Sequence, residues 1–176
     1  MPFVQISENL LYHSERMWDM SVESKQLLDS FLRSHCNFMY PGDVFIVCWI
    51  SDLDGNVFSV LTALDSNLNG TDIIEIHNVC VAKEYRRQGF GITLLKNVIQ
   101  QFKDIPLWLG VEFWNMPAFN LYVNLGFSNP IVSYVTPSGN PYPDGIISLM
   151  YLGEKSFLEK QYVLNLIELI HQQNFG

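Results

Sequence analysis

Cysteine is scarce in this chain, with Cys36, Cys48 and Cys80 the only three among 176 residues. The count is odd and no two stand in a C-x-x-C pair. A disulfide framework and a zinc site are therefore not expected, and a reducing cytosol is the default compartment. Basic residues are also few, ten Lys and Arg against 18 Asp and Glu, for a formal charge of -8. That balance excludes an ordinary nucleic-acid binder, whose affinity rests on basic side chains meeting phosphates. Long apolar runs are missing, and no segment approaches the roughly 18 residues a membrane span needs. The start, MPFVQISENLLYHSERMW, has polar and acidic residues where a secretion signal needs an apolar stretch. His13, His35 and His171 lack acidic or cysteine partners at ligand spacing, so no metal is expected. These absences describe a soluble, cytoplasmic protein with neither nucleic acid nor membrane as partner.

What is present is enough for one packed domain over residues 1–176, with 48% hydrophobic and 14% aromatic residues. A short strand is expected at Phe3–Ile6 and a helical region from Ser7 to about Cys36, with Leu27, Leu28, Phe31 and Leu32 at helix spacing and Ser21 or Ser24 as cap. The apolar run Val44–Ile50, the turn signal Asp52–Asn56 and the segment Val57–Leu64 read as a hairpin. A polar loop at Ser66–Asp72 precedes a strand at Ile73–Val81, and a helix at Ile92–Phe102 carries Ile92, Leu95, Ile99 and Phe102 on one stripe. A strand at Leu107–Phe113 and a short helix at Met116–Leu125 follow, with Pro117 in its first turn and Gly126 as its stop. Strands at Ile131–Val135 and Ile146–Leu152 flank a loop at Pro137–Gly145, and an amphipathic helix is expected from Glu154 to about Gln172. The pattern is α/β: one mixed, mostly antiparallel sheet of about six to seven strands flanked by helices, with an additional C-terminal helix.

The segment Arg86-Arg87-Gln88-Gly89-Phe90-Gly91 stands between a strand and a helix. A helix N-terminus has unpaired backbone N–H groups and the positive end of the dipole, so it attracts an anion. Gly89 and Gly91 remove Cβ atoms where the backbone turns tightly, and Arg86 and Arg87 add positive charge. No GxxxxGK[ST] sequence occurs, and no GxGxxG follows a first strand, which excludes the two commoner phosphate loops.

A second motif lies downstream, N-x-x-A-x-x-L-Y-x-x-x-G-F at Asn115–Phe127. Together with V-C-V-A-x-x-Y-R-R-Q-G-F-G upstream it resembles the GCN5-related N-acetyltransferase (GNAT) superfamily. Arg86-x-x-Gly89-x-Gly91 matches that family's [QR]-x-x-G-x-[GA] acetyl-CoA signature. The likeness is best over residues 73–152, and the helix expected at about 154–173 lies beyond the usual family core. The resemblance implies that the amides of Gln88, Gly89, Phe90, Gly91 and Ile92 bind the CoA pyrophosphate, beside Arg86 and Arg87. It implies that the strand backbone at Val79, Cys80 and Val81 accompanies the pantetheine arm. Asn115 matches an asparagine that contacts the cofactor, and Tyr122 a tyrosine that protonates the leaving CoA thiolate. Counting back from Gly89, Glu75 falls where histone-acetylating relatives carry a catalytic glutamate. Glu75 and His77 both fall where arylalkylamine-acetylating relatives carry histidines.

The chemistry stands beside the likeness. An amine attacking a thioester needs a base to free its lone pair and an acid for the departing thiolate. Glu75 and His77, two apart on one strand, share a face, and either can serve as the base; Asn78 points the other way. The implied activity is acetyl transfer from acetyl-CoA to a primary amine by direct attack in a ternary complex. The acceptor is an amine, possible types being a small amine or polyamine, a protein amine and an amino sugar. The acidic balance suits a cationic acceptor and is equally met by solubility alone. A non-catalytic CoA-binding or interaction module on the same fold is the alternative. A monomer and a homodimer are both open.

Overall fold

Ser21 starts the first helix: its hydroxyl accepts the Ser24 backbone N–H at 3.1 Å and its carbonyl accepts that of Lys25. In the computed structural model this helix, α1, spans Val22–Cys36, with Glu23 in its first turn and Arg33 in its last, the charge order that suits a helix dipole. The structure describes residues 3–36, 46–68, 71–112, 115–127, 131–133 and 147–152. The C-terminal helix expected after Glu154 and the loop Pro137–Gly145 lie outside the described residues.

The helix expected from Ser7 begins later than that. The first strand is as expected, β1 at Phe3–Ser7, but Leu10–Arg16 is a strand instead of helix, β2, and pairs antiparallel with β1. The reason is non-local: residues 11 to 16 pair in register with Ile46–Ser51, strand β3, from Leu11 opposite Ser51 to Arg16 opposite Ile46. Val57–Leu68 forms β4 and Thr71–Val81 forms β5. The polar loop expected at Ser66–Asp72 is therefore mostly strand. The turn between β3 and β4 matches its expectation. Gly55 has φ 86°, and the Asp52 carboxylate accepts the N–H groups of Asp54 and Asn56, each at 2.9 Å. Bonding to Asn56 holds that carboxyl below the usual range.

Helix α2 spans Phe90–Gln101, strand β6 Leu107–Val111, helix α3 Met116–Asn124, and strands β7 and β8 Ile131–Ser133 and Ile147–Leu152. The chain divides into two units. One holds residues 1–64 and 76–101, the other residues 65–75 and 102–176, and β4 and β5 contribute to both. In the first unit the strand order is β1-β2-β3-β4-β5; in the second, β5 is followed by β6, β8 and β7. The pairs β1–β2, β2–β3, β3–β4, β6–β8 and β7–β8 are antiparallel. The neighbours β5 and β6 are joined through α2. This is the mixed, mostly antiparallel sheet flanked by helices that the pattern predicts. It has eight strands among the described residues, β2 supplying the excess.

In the first unit, Leu28, Phe31 and Leu32 of α1 pack with Met20, Val47, Trp49, Val60, Cys80 and Ala82. Burying each of the three helix side chains contributes about 1.5–3 kcal/mol as an upper estimate. Leu27, at the same spacing in the sequence, is exposed. Helix α2 buries Leu94, Leu95 and Val98, while Ile92, expected on its apolar stripe, is 40% exposed.

One expectation is overturned outright: Cys36 and Cys80 form a disulfide, across a Cα–Cα distance of 6.2 Å. Packing of α1 on β5 brings together two residues 44 apart, which no sequence spacing announces. Cys48 is the free cysteine, buried as expected of a small core residue. Its thiol donates to the Ser14 hydroxyl at 3.4 Å, and burial raises its pKa. The Tyr12 hydroxyl beside it donates to Gln101 Oε1. Among the described residues, no helix is long and apolar enough to cross a membrane.

Candidate functional site

The first unit builds the glycine-containing loop at Arg86–Gly91 from its own strand and helix. Strand β5 ends at Val81, a 3-10 turn at Lys83–Tyr85 follows, and α2 starts at Phe90. Between them Arg87 has φ 64° and Gly89 has φ 88°. Left-handed conformation at a non-glycine residue costs on the order of 1–2 kcal/mol, so Arg87 is held there by its surroundings. The Gly89 carbonyl accepts the Thr93 N–H at 2.9 Å, the first rung of α2. The amides of Phe90, Gly91 and Ile92 thus precede the ladder and are available to an anion. A Cβ at Gly91 would lie 3.3 Å from Val81 Cγ2, so the glycine lets the helix start close against the strand. Nothing lies within 4 Å of a Cβ at Gly89; only its φ asks for glycine.

An aromatic bracket fixes both ends of the loop. Phe58 on β4 packs against Tyr85 and Phe90, each at a centroid distance of 4.6 Å, and Tyr85 meets Phe90 at 5.7 Å. The Ser59 hydroxyl also donates to the Phe90 carbonyl at 3.3 Å, and the Gln88 side-chain amide to the Glu84 carbonyl at 3.2 Å. Arg86 is committed to the protein itself: Nε donates to the Val81 carbonyl at 3.2 Å and Nη2 to the His35 carbonyl at 2.7 Å. It staples the loop, and Arg87 is the loop's other exposed arginine.

Alternation along β5 sorts the remaining candidates. Val81 meets Gly91 of α2, and Val79, His77 and Glu75 share its face. Cys80 points to the opposite face, into the core beneath α1, and its side chain is occupied by the disulfide. Only its backbone is left for a ligand. Glu75 is 3% exposed and His77 is half-buried. Asn78 donates to the Thr62 hydroxyl at 3.3 Å from the other face.

Asn115 and Tyr122 belong to the second unit, two helical turns apart on α3. Asn115 is the N-cap: its side-chain oxygen accepts the Ala118 N–H at 3.3 Å, with Pro117 in the first turn. At the other end Gly126 has φ 97°, its N–H bonds the Val123 carbonyl at 3.0 Å, and the Phe127 N–H bonds the Tyr122 carbonyl at 3.0 Å. This is a Schellman stop, and its usual apolar contact is Phe127 against the Tyr122 ring at 5.7 Å. The same motif that ends the helix therefore orients Tyr122. Burial raises the pKa of its phenol. His35, Phe58 and Tyr85 are contributors the sequence reading missed; the partners of His35 are 48 and 51 residues away, with no local signal.

Among the described residues, no group of three or more His, Cys, Asp or Glu is placed to hold a metal. Residues 11–127 match the acetyltransferase (GNAT) family. The [ribosomal protein bS18]-alanine N-acetyltransferase of Escherichia coli is 34% identical over 64 residues, 35% of this chain and 43% of that protein. The chain matches less than half the length of its curated relatives. Among solved structures, Arabidopsis thaliana Naa50 with the bisubstrate analogue CoA-Ac-MVNAL superimposes with a TM-score of 0.60 at 14% identity, over 81% of this chain and 98% of that one. A GNAT family acetyltransferase from Elizabethkingia anophelis with acetyl-CoA bound gives 0.56 at 18% identity, over 84% and 99%.

Proposed function

Because the chain belongs to the acetyltransferase (GNAT) family, we propose that it moves an acetyl group from acetyl-CoA to a primary amine by direct attack in a ternary complex. The observation that carries this reading is the loop with left-handed Arg87 and Gly89 at the start of α2. Successive amides in such a turn form a concavity suited to a pyrophosphate. The amides of Gln88 to Ile92 hold that group, the exposed Arg87 adds charge, and the backbone of Val79–Val81 accompanies the pantetheine arm. Acetyl-CoA supplies the activated acyl carbon.

The chain's own residues then handle protons. Glu75 or His77, on one face of β5, takes the proton from the incoming ammonium, directly or through water. Tyr122 gives its proton to the departing sulfur, and its burial keeps it protonated for that task. Asn115, at the cap of α3, matches the family's cofactor-contacting asparagine and is assigned that role. The acceptor we favour is a protein or peptide amine, the kind named for the bS18 alanine acetyltransferase and carried by the analogue on Naa50.

Thiol release from acetyl-CoA, measured with peptides of free N-terminus, lysine peptides, polyamines and amino sugars, tests the reading. Amine-dependent release is expected, strongest with peptides. Tyr122→Phe should lower kcat by at least about 100-fold, the lower range of acid–base catalysis, and Glu75→Gln tests the base. Acetyl-CoA binding without release for any amine would leave the non-catalytic module as the reading.

A further inference from the structure

The last two residues of α1 hold the segment that leads into the loop, and they do so by three links. The His35 ring nitrogen Nδ1 accepts the Lys83 backbone N–H at 3.0 Å. The His35 carbonyl accepts the Arg86 guanidinium at 2.7 Å. The next residue, Cys36, is bonded to Cys80, one residue before the end of β5. The ring of His35 is itself seated against Phe31, centroids 4.7 Å apart. An Nδ1 that accepts carries no proton, so the imidazole is neutral with its proton on Nε2. The Glu84 carboxylate 4.0 Å from Nδ1 is then a neighbour and not an ion-pair partner.

These links clamp the 3-10 turn Lys83–Tyr85 at its first residue and just past its last. The left-handed Arg87 follows directly. A strained residue keeps its conformation only while its flanks are fixed, and its flanks here are Arg86, stapled to α1, and Gln88, bonded to Glu84. Helix α1 contributes no residue to the loop itself, yet it determines whether the loop is preformed.

Resting on the acetyl-CoA reading above, we infer that His35 is a positioning residue for cofactor binding, holding Lys83–Arg86 so that the loop amides stand ready for the pyrophosphate. Its role is to preorganise, so its loss weakens binding and leaves the chemical step alone.

Two variants separate this from mere packing. His35→Phe keeps a ring against Phe31 and removes the acceptor; His35→Asn offers an oxygen near the place of Nδ1. Phe is expected to raise Kd for CoA and KM for acetyl-CoA about tenfold, the size of one hydrogen bond, with kcat at saturation nearly unchanged. Asn is expected to restore both. Amide hydrogen exchange over residues 83–89 of the unliganded protein should quicken with Phe and stay native with Asn. Unchanged exchange in His35→Phe, or equal losses in both variants, overturns the role of His35. Failure of the unaltered protein to bind CoA instead overturns the donor assignment, and the exchange result is read independently of it.

Discussion

Tyr122 illustrates how one side chain is set by its neighbours before any substrate is involved. The Schellman stop ties its carbonyl to Phe127 and its ring to the same residue, and burial disfavours its phenolate. The folded pKa lies above the ordinary value of about 10, so the neutral phenol is the form that folding favours. Its stability contribution is fully present below pH of about 10 and is lost as pH rises through the folded value. Two outcomes are expected. Ultraviolet titration should find Tyr122 ionising later than exposed tyrosines, with Tyr122→Phe removing that late step. The pH profile of kcat should show no fall from Tyr122 below about pH 10. An alkaline limb at lower pH that vanishes in Tyr122→Phe would contradict the assignment.

Helix α3 is bounded by two local signals, Asn115 at its start and Gly126 at its end; the Gly126 stop was legible because capping is written within a few residues, whereas Asn115 was read for the cofactor and its cap was not. Asn115 also illustrates a limit of reading roles from motifs: its side-chain oxygen caps the helix, whatever its amide does. Asn115→Ala should cost about 0.5–2 kcal/mol in denaturant unfolding, and Asn115→Asp should recover it. If the amide also meets the cofactor, Asp will restore stability while KM for acetyl-CoA stays raised. Native KM in the Asp variant would reduce Asn115 to a cap. The hairpin turn at Asp52–Asn56 was legible for the same local reason. Strand β2 was not: Leu10–Arg16 lacks a clean period, and its state is set by pairing with β3 far along the chain. The loop at Arg86–Gly91 was visible through its glycines, whereas its supports, Phe58, His35 and Cys36, come from elements that only folding brings near.

For the molecule as a whole, the disulfide is the covalent cross-link among the described residues and the one constraint composition argued against. In the chain-entropy picture, closing a loop of 44 residues stabilises by roughly 4 kcal/mol. A dithiol reductant should lower Tm, and Cys36→Ser should reproduce the lowered value and no longer respond. Thiol labelling after unfolding should count one reactive cysteine before reduction, Cys48, and three after. Three before reduction, with Tm indifferent to the reagent, would refute the pairing.

Viewed as a rope, the oxidised chain is a tailed ring. Tension applied at its two ends runs to Cys36, crosses the sulfur bridge and leaves from Cys80, so β3, β4 and nearly all of β5 carry none of it. At about 3.4 Å per residue, roughly 150 Å of contour is withheld from any pull. A translocating motor or protease working from the N-terminal side would have to thread a closed loop, not a single strand, before it reached Arg86–Gly91.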